Sequence, residues 1–134
     1  MKDVVLYIIS KFPRGIGRTR LMKLAFIVDS MSLGRLGKRV FRGEWVRWYF
    51  GPFNKTILDA LDDLLRIELV DTVPTPASVR YISLGNPRSI PDDVRRVVDE
   101  VIEKYGFEPL DKLLDEVYRK WNIKMIPLGE VIEL

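Results

Sequence analysis

Apolar residues recur along this chain at two spacings, and the switches between them mark its elements. Over residues 3–12, Val4, Val5, Ile8, Ile9 and Phe12 share one helical face, and Pro13 with Gly15 and Gly17 ends the segment. A second helix is predicted from about Thr19, which can cap it, to Ser32, with Leu21, Leu24, Ala25, Val28 and Met31 as its buried stripe. Gly34 and Gly37 break that pattern in a basic loop. Glu44 to Phe50 then alternates as a strand that Gly51-Pro52 stops. Alternation places Trp45, Arg47 and Tyr49 on one face and Val46, Trp48 and Phe50 on the other, with Trp48 and Phe50 packing the core.

Asn54 is a good cap for a third helix that turns Ile57, Leu58, Leu61, Leu64 and Leu65 inward. Two apolar stretches, Glu68–Val73 and Val79–Leu84, flank Pro74–Ser78 and read as a hairpin with a proline-stiffened tip. Ser89 and Asp92 match a capping box for a fourth helix, striped by Val94, Val97, Val98, Val101, Ile102 and Tyr105 and closed by Gly106. A fifth helix, about Glu108 to Trp121, buries Leu110, Leu113, Leu114, Val117 and Trp121. The tail, Met125–Leu134, alternates loosely, as a strand or a draped segment would. The expected fold is α+β: a mostly helical single domain over 1–134 with a small antiparallel sheet. Within it, 1–85 form a winged-helix-like core and 86–134 a C-terminal helical elaboration.

Composition narrows the chemistry. A chain of 134 residues fits one domain with a core of its own. It has neither Cys nor His, which removes disulfides, thiolate and imidazole metal ligands, and the Ser-His-Asp triad. Carboxylate catalysis survives in principle, and Asp59, Asp62 and Asp63 lie on one side of the third helix, but nothing nearby completes such a site. Gly15 and Gly17 lack the preceding strand and the following Gly-Lys-Ser/Thr of a phosphate loop. The expectation is therefore no enzyme, no cofactor and no metal. No apolar run approaches the ~18 residues of a membrane span, and Lys11 comes too soon for a signal peptide; a cytoplasmic location is expected. The lack of Gln, with only Asn54, Asn86 and Asn122, is a thermophile tendency.

Charge is distributed unevenly. The net charge is +3, yet residues 11–47 carry ten bases against Asp29 and Glu44, a net +8, and residues 48–134 carry eleven bases against sixteen acids, a net −5. Such asymmetry points to an anionic partner for the first third. Arg35, Lys38, Arg39 and Arg42 crowd the exit of helix two, and Arg47 lies between Trp45 and Tyr49 in a spacing suited to cation–π stacking. Arginine and aromatic residues dominate interface hot spots, so these seven residues form a candidate surface for an acidic protein partner. The competing reading is a DNA-binding regulator. The order helix, helix, strand, helix, hairpin resembles a winged helix, with Lys55 and Thr56 at the start of the reading helix and Arg80 on the wing, joined by Arg18 and Arg20 from the basic entry to helix two. Asp59, Asp62 and Asp63 on that reading helix oppose a polyanion.

Residues 20–66 resemble the Panacea domain family, the SocA-like antitoxin group. The resemblance rests on Leu21-Met22-Lys23-Leu24-Ala25-Phe26-Ile27-Val28-Asp29, similar to the family's lysine-leucine-aromatic-x-x-aspartate helix, on the glycine-basic segment Gly37–Gly43, and on Trp48-Tyr49-Phe50-Gly51-Pro52-Phe53. Phe26 and Phe50 stand where the family has Tyr, so two hydroxyls are missing. The resemblance implies a non-enzymatic module that neutralises a toxin protein by direct contact, or delivers it to a protease. It carries over Lys23, Asp29, Gly51 and Pro52 as motif positions. It fades beyond the hairpin, so helices four and five are expected to be this protein's own elaboration.

Overall fold

A computed structural model describes residues 1–134 as an α+β domain of five helices and two small antiparallel sheets. Helix α1 (Lys2–Ser10) leads to α2 (Arg18–Leu36), followed by strands β1 (Val46–Trp48) and β2 (Gly51–Phe53). Helix α3 (Lys55–Arg66) precedes a second hairpin, β3 (Val70–Pro74) and β4 (Val79–Ser83). Helices α4 (Asp92–Tyr105) and α5 (Leu110–Lys120) and a 3-10 turn at Ile123–Met125 complete the chain. No helix is long and apolar enough to cross a membrane.

Helix α2 is the axis of the molecule. Every residue from Leu21 to Asp29 is buried, because α1, α4, α5 and β2 pack around it. Helix α1 is likewise buried from Val4 to Ile9, between α3 and β4. A helix apolar on all sides belongs inside the domain; the single stripes expected for α1 and α2 understate their burial. Helices α3, α4 and α5 are amphipathic and each bury one face. One continuous cluster of 34 buried apolar residues runs from Val4 to Ile132, so residues 86–134 share a core with 1–85.

Local chemistry differs from expectation at several ends. Gly17, not Thr19, precedes α2, and the helix runs through Gly34 to a left-handed stop at Gly37, whose N–H bonds the Leu33 carbonyl. Pro91 and Pro109 precede α4 and α5, and Ser89 makes no cap. Asn54 caps α3 as expected, its side chain accepting from the Thr56 N–H at 3.0 Å. The strand expected over Glu44–Phe50 is cut at Trp48. Tyr49 and Phe50 form a tight turn, Gly51 takes φ +95°, and the chain returns with Gly51 opposite Trp48 and Pro52 opposite Arg47. Gly51-Pro52 thus opens a return strand and does not terminate one.

The tail is an additional strand-like segment on β1. Val131 bridges Val46, the Ile132 N–H donates to Trp45 at 2.7 Å, and the Arg47 N–H donates to Glu130 at 2.8 Å. Ile16 extends the other sheet by pairing with Tyr81 through two 2.9 Å bonds.

Candidate functional site

The motif residues lie inside the protein. Asp29 is fully buried in α2 and accepts four hydrogen bonds from the loop that follows. Its Oδ1 accepts the Val40 and Phe41 N–H groups at 2.7 and 3.1 Å. Its Oδ2 accepts Arg39 Nε and Trp45 Nε1, each at 2.7 Å, and forms an ion pair with Arg39, whose Nη2 donates to the Gly43 carbonyl. A buried carboxylate is tolerable only when paired and hydrogen-bonded in this way. The consequence is that the basic loop and the start of β1 are tied to α2.

Lys23, two turns earlier, is 3% exposed, and its Nζ donates to the Pro52 carbonyl at 2.9 Å. With no carboxylate bonded to it, burial pushes its pKa down to about 7. A Cβ on Gly51 would sit 3.1 Å from Lys23 Cε, and the positive φ there also favours glycine. Lys23, Gly51 and Pro52 therefore fasten β2 to α2, as Asp29 fastens β1. All four are positioning residues for the β1–β2 hairpin.

What they position is an aromatic tip. Trp48, Tyr49 and Phe50 are 45%, 67% and 64% exposed. Trp48 and Tyr49 meet edge to face at 5.0 Å, and the Tyr118 hydroxyl of α5 donates to the Tyr49 carbonyl at 3.4 Å. The Arg47 guanidinium lies 5.7 Å over the Tyr118 ring, and its buried Nε has no hydrogen-bond partner. Trp45, by contrast, is 1% exposed, its ring edge-on to Phe26 at 5.2 Å. Trp45 therefore leaves the candidate contact surface for the core, and Trp48 and Phe50 leave the core for the surface. The turn at Tyr49-Phe50 breaks the alternation on which the opposite assignment rested. Phe26 lies between Trp45 and Trp121, where apolar ring edges surround it.

The basic residues divide by partner. Arg35 pairs with Glu100, Lys38 with Asp93 at 3.6 Å, and Arg39 with Asp29. These three candidates for an acidic partner are already engaged within the chain; Arg42 is exposed and makes no ion pair. The five residues of the DNA reading are also split. Arg18, Arg20 and Arg80 converge on one cleft beside β4. Lys55 and Thr56 are elsewhere, at the start of α3, where the Thr56 hydroxyl is bonded to Asn54 and to the Arg42 carbonyl.

A family model described as antitoxin SocA-like, Panacea domain, matches residues 21–122. That region runs from the first turn of α2 through α4 and α5, so those two helices lie inside the family domain and are not an addition peculiar to this chain. Neither a curated protein nor a solved structure matches the chain.

Proposed function

The chain belongs to the Panacea domain family of SocA-like antitoxins, and from that premise we propose that it is a non-enzymatic module that captures a partner protein, a toxin, by direct contact in the cytoplasm. The observation that carries this reading is the exposed Trp48-Tyr49-Phe50 tip on a hairpin fastened from behind by Lys23 and Asp29. Three consecutive exposed aromatics form an apolar patch of the kind that marks interaction sites. Because the hairpin is already held, little ordering entropy is lost on binding. Arg42 and Lys55, exposed near the base of the hairpin and without ion pairs, supply a basic rim that favours a partner with acidic groups around an apolar pocket.

The test is co-purification of the tagged protein with the product of its neighbouring gene, alongside rescue of growth when that product is expressed. Capture and rescue by the wild type, and loss of both in Trp48→Ala/Phe50→Ala with an unchanged melting temperature, are expected. Capture that survives the double substitution would remove the hairpin from the interface. Absence of capture and rescue by the wild type would overturn the reading.

A DNA-binding regulator is the second reading, favoured by the grouping of Arg18, Arg20 and Arg80 and by the hairpin that follows α3 as a wing would. Against it, Asp59 and Asp62 are exposed on α3, which would have to face the phosphates. Titration with random duplex DNA at several salt concentrations separates the two; tight, steeply salt-dependent duplex binding favours the regulator.

A further inference from the structure

An open cleft of about 1090 Å³ lies between the α1–α2 connection, β4 and the α4–α5 connection. It exceeds the roughly 300–1,000 Å³ of small-molecule pockets. Five cations line it, Lys11, Arg14, Arg18, Arg20 and Arg80, and no Asp or Glu does. Lys11 is offset from behind by Asp99 at 3.4 Å. Arg20 donates to the Gly106 and Glu108 carbonyls at 3.2 and 2.6 Å. Arg14, Arg18 and Arg80 have no ion pair, and all three are exposed.

The cluster is held in place by the fold. The Ile16–Tyr81 pairing brings the α1–α2 connection against β4, where a Cβ on Gly15 would meet Arg80 Cβ at 2.8 Å. Arg18 Nη2 lies 3.3 Å from the Tyr81 hydroxyl. The pKa of Arg20 is lowered by burial first and by the like charge of Arg80 second, with Glu108 offsetting part of the shift. At the rim, Phe107 is 71% exposed, with its ring 4.9 Å from Phe12.

We propose that this cleft binds a single-stranded nucleic acid segment, with Arg14, Arg18 and Arg80 on successive phosphates and a base stacked on Phe107. A concave surface of one charge sign concentrates an opposite charge. Guanidinium groups present paired donors matched to phosphate. An aromatic ring beside a basic groove is the combination that holds unpaired bases, and a duplex leaves no base face for it. Leu110 opens α5 in the cleft, while Tyr118, about 12 Å further along the helix, touches the aromatic hairpin, so the cleft is a second surface. The proposal is therefore independent of the antitoxin reading.

The experiment is fluorescence anisotropy with a labelled oligothymidylate of about ten nucleotides, within the ~4–16 that a small domain covers. Binding should weaken with salt at a log–log slope of about −2, as three phosphate contacts require. Arg14→Glu/Arg80→Glu should weaken it at least tenfold, and Phe107→Ala several-fold. Lys112→Glu/Lys124→Glu makes the same change in charge at exposed positions outside the cleft and should change it less than twofold. Thermal unfolding checks that each variant remains folded. No binding at low salt, equal loss in the two charge-reversed variants, or tighter binding of the corresponding duplex would each overturn the proposal. So would displacement by polyglutamate at equal charge together with indifference to Phe107→Ala, which would identify an acidic peptide as the occupant.

Discussion

Asp29 and Lys23 are charged groups of opposite sign on the same helix, and burial acts on them differently. Four donors surround Asp29, so removing its charge leaves the Arg39 guanidinium and the Trp45 indole facing an amide N–H₂ in Asp29→Asn. Breaking a buried pair from one side costs about 3–5 kcal/mol, and urea denaturation of Asp29→Asn should show a loss of that size. Lys23 has a single carbonyl acceptor, and its pKa falls from 10.5 to about 7. Between those values the unfolded chain binds the proton that the folded protein releases. Stability therefore rises with pH through that window, and the penalty is fully present below about pH 7. The difference between the wild type and Lys23→Met should change by about 3–5 kcal/mol from pH 7 to pH 10.5; parallel pH profiles would show that the lysine is not desolvated. Neither environment was legible in the sequence, where both residues fall among the apolar positions of a helix with no partner in sight.

At the scale of elements, the β1–β2 hairpin shows how local pattern and tertiary contact divide the work. Aromatic and β-branched residues correctly placed a strand near Val46, and Asn54 correctly placed the start of α3. Alternation could not reveal the turn at Tyr49-Phe50, because that turn depends on Gly51 adopting positive φ directly against Lys23. The face that Trp45 takes depends on the Asp29 carboxylate waiting for its indole N–H. Trp45→Ala should cost about 3–5 kcal/mol, as large-to-small changes in a core do. Trp48→Ala and Phe50→Ala, at exposed turn positions, should each stay within about 0.5 kcal/mol. Chemical denaturation of the three variants checks the assignment, and a large loss for Phe50→Ala would return it to the core.

At the scale of the molecule, the ends and the middle are interdependent. The tail covers the outer edge of β1 and sends Ile132 into the core at 5% exposure. Deleting residues 127–134 should lower stability by about 2–4 kcal/mol, from one buried apolar side chain and the backbone bonds to Trp45 and Arg47. It should also promote concentration-dependent association, because an unpaired strand edge would lie beside the aromatic tip. Equilibrium unfolding and sedimentation at several concentrations test both outcomes; an unchanged, monomeric protein would mean that the tail contributes nothing.

By itself the sequence determined the helices, the second hairpin, the family and the uneven division of charge. The elements and the family motifs depend on residues a few positions apart, where periodicity and turn chemistry operate, and the charge division needs only a count along the chain. It did not determine which charges remain available, because neutralisation joins residues far apart in the chain, Arg35 to Glu100 and Lys38 to Asp93. Burial has the same long reach: it drew Lys23, Asp29 and Trp45 inside and left Trp48, Tyr49 and Phe50 exposed. Only the tertiary structure could collect Arg14, Arg18, Arg20 and Arg80 from two distant segments into one cleft. The basic excess of the first third was visible from the start, but where it could act was decided by the residues that packing brought beside it.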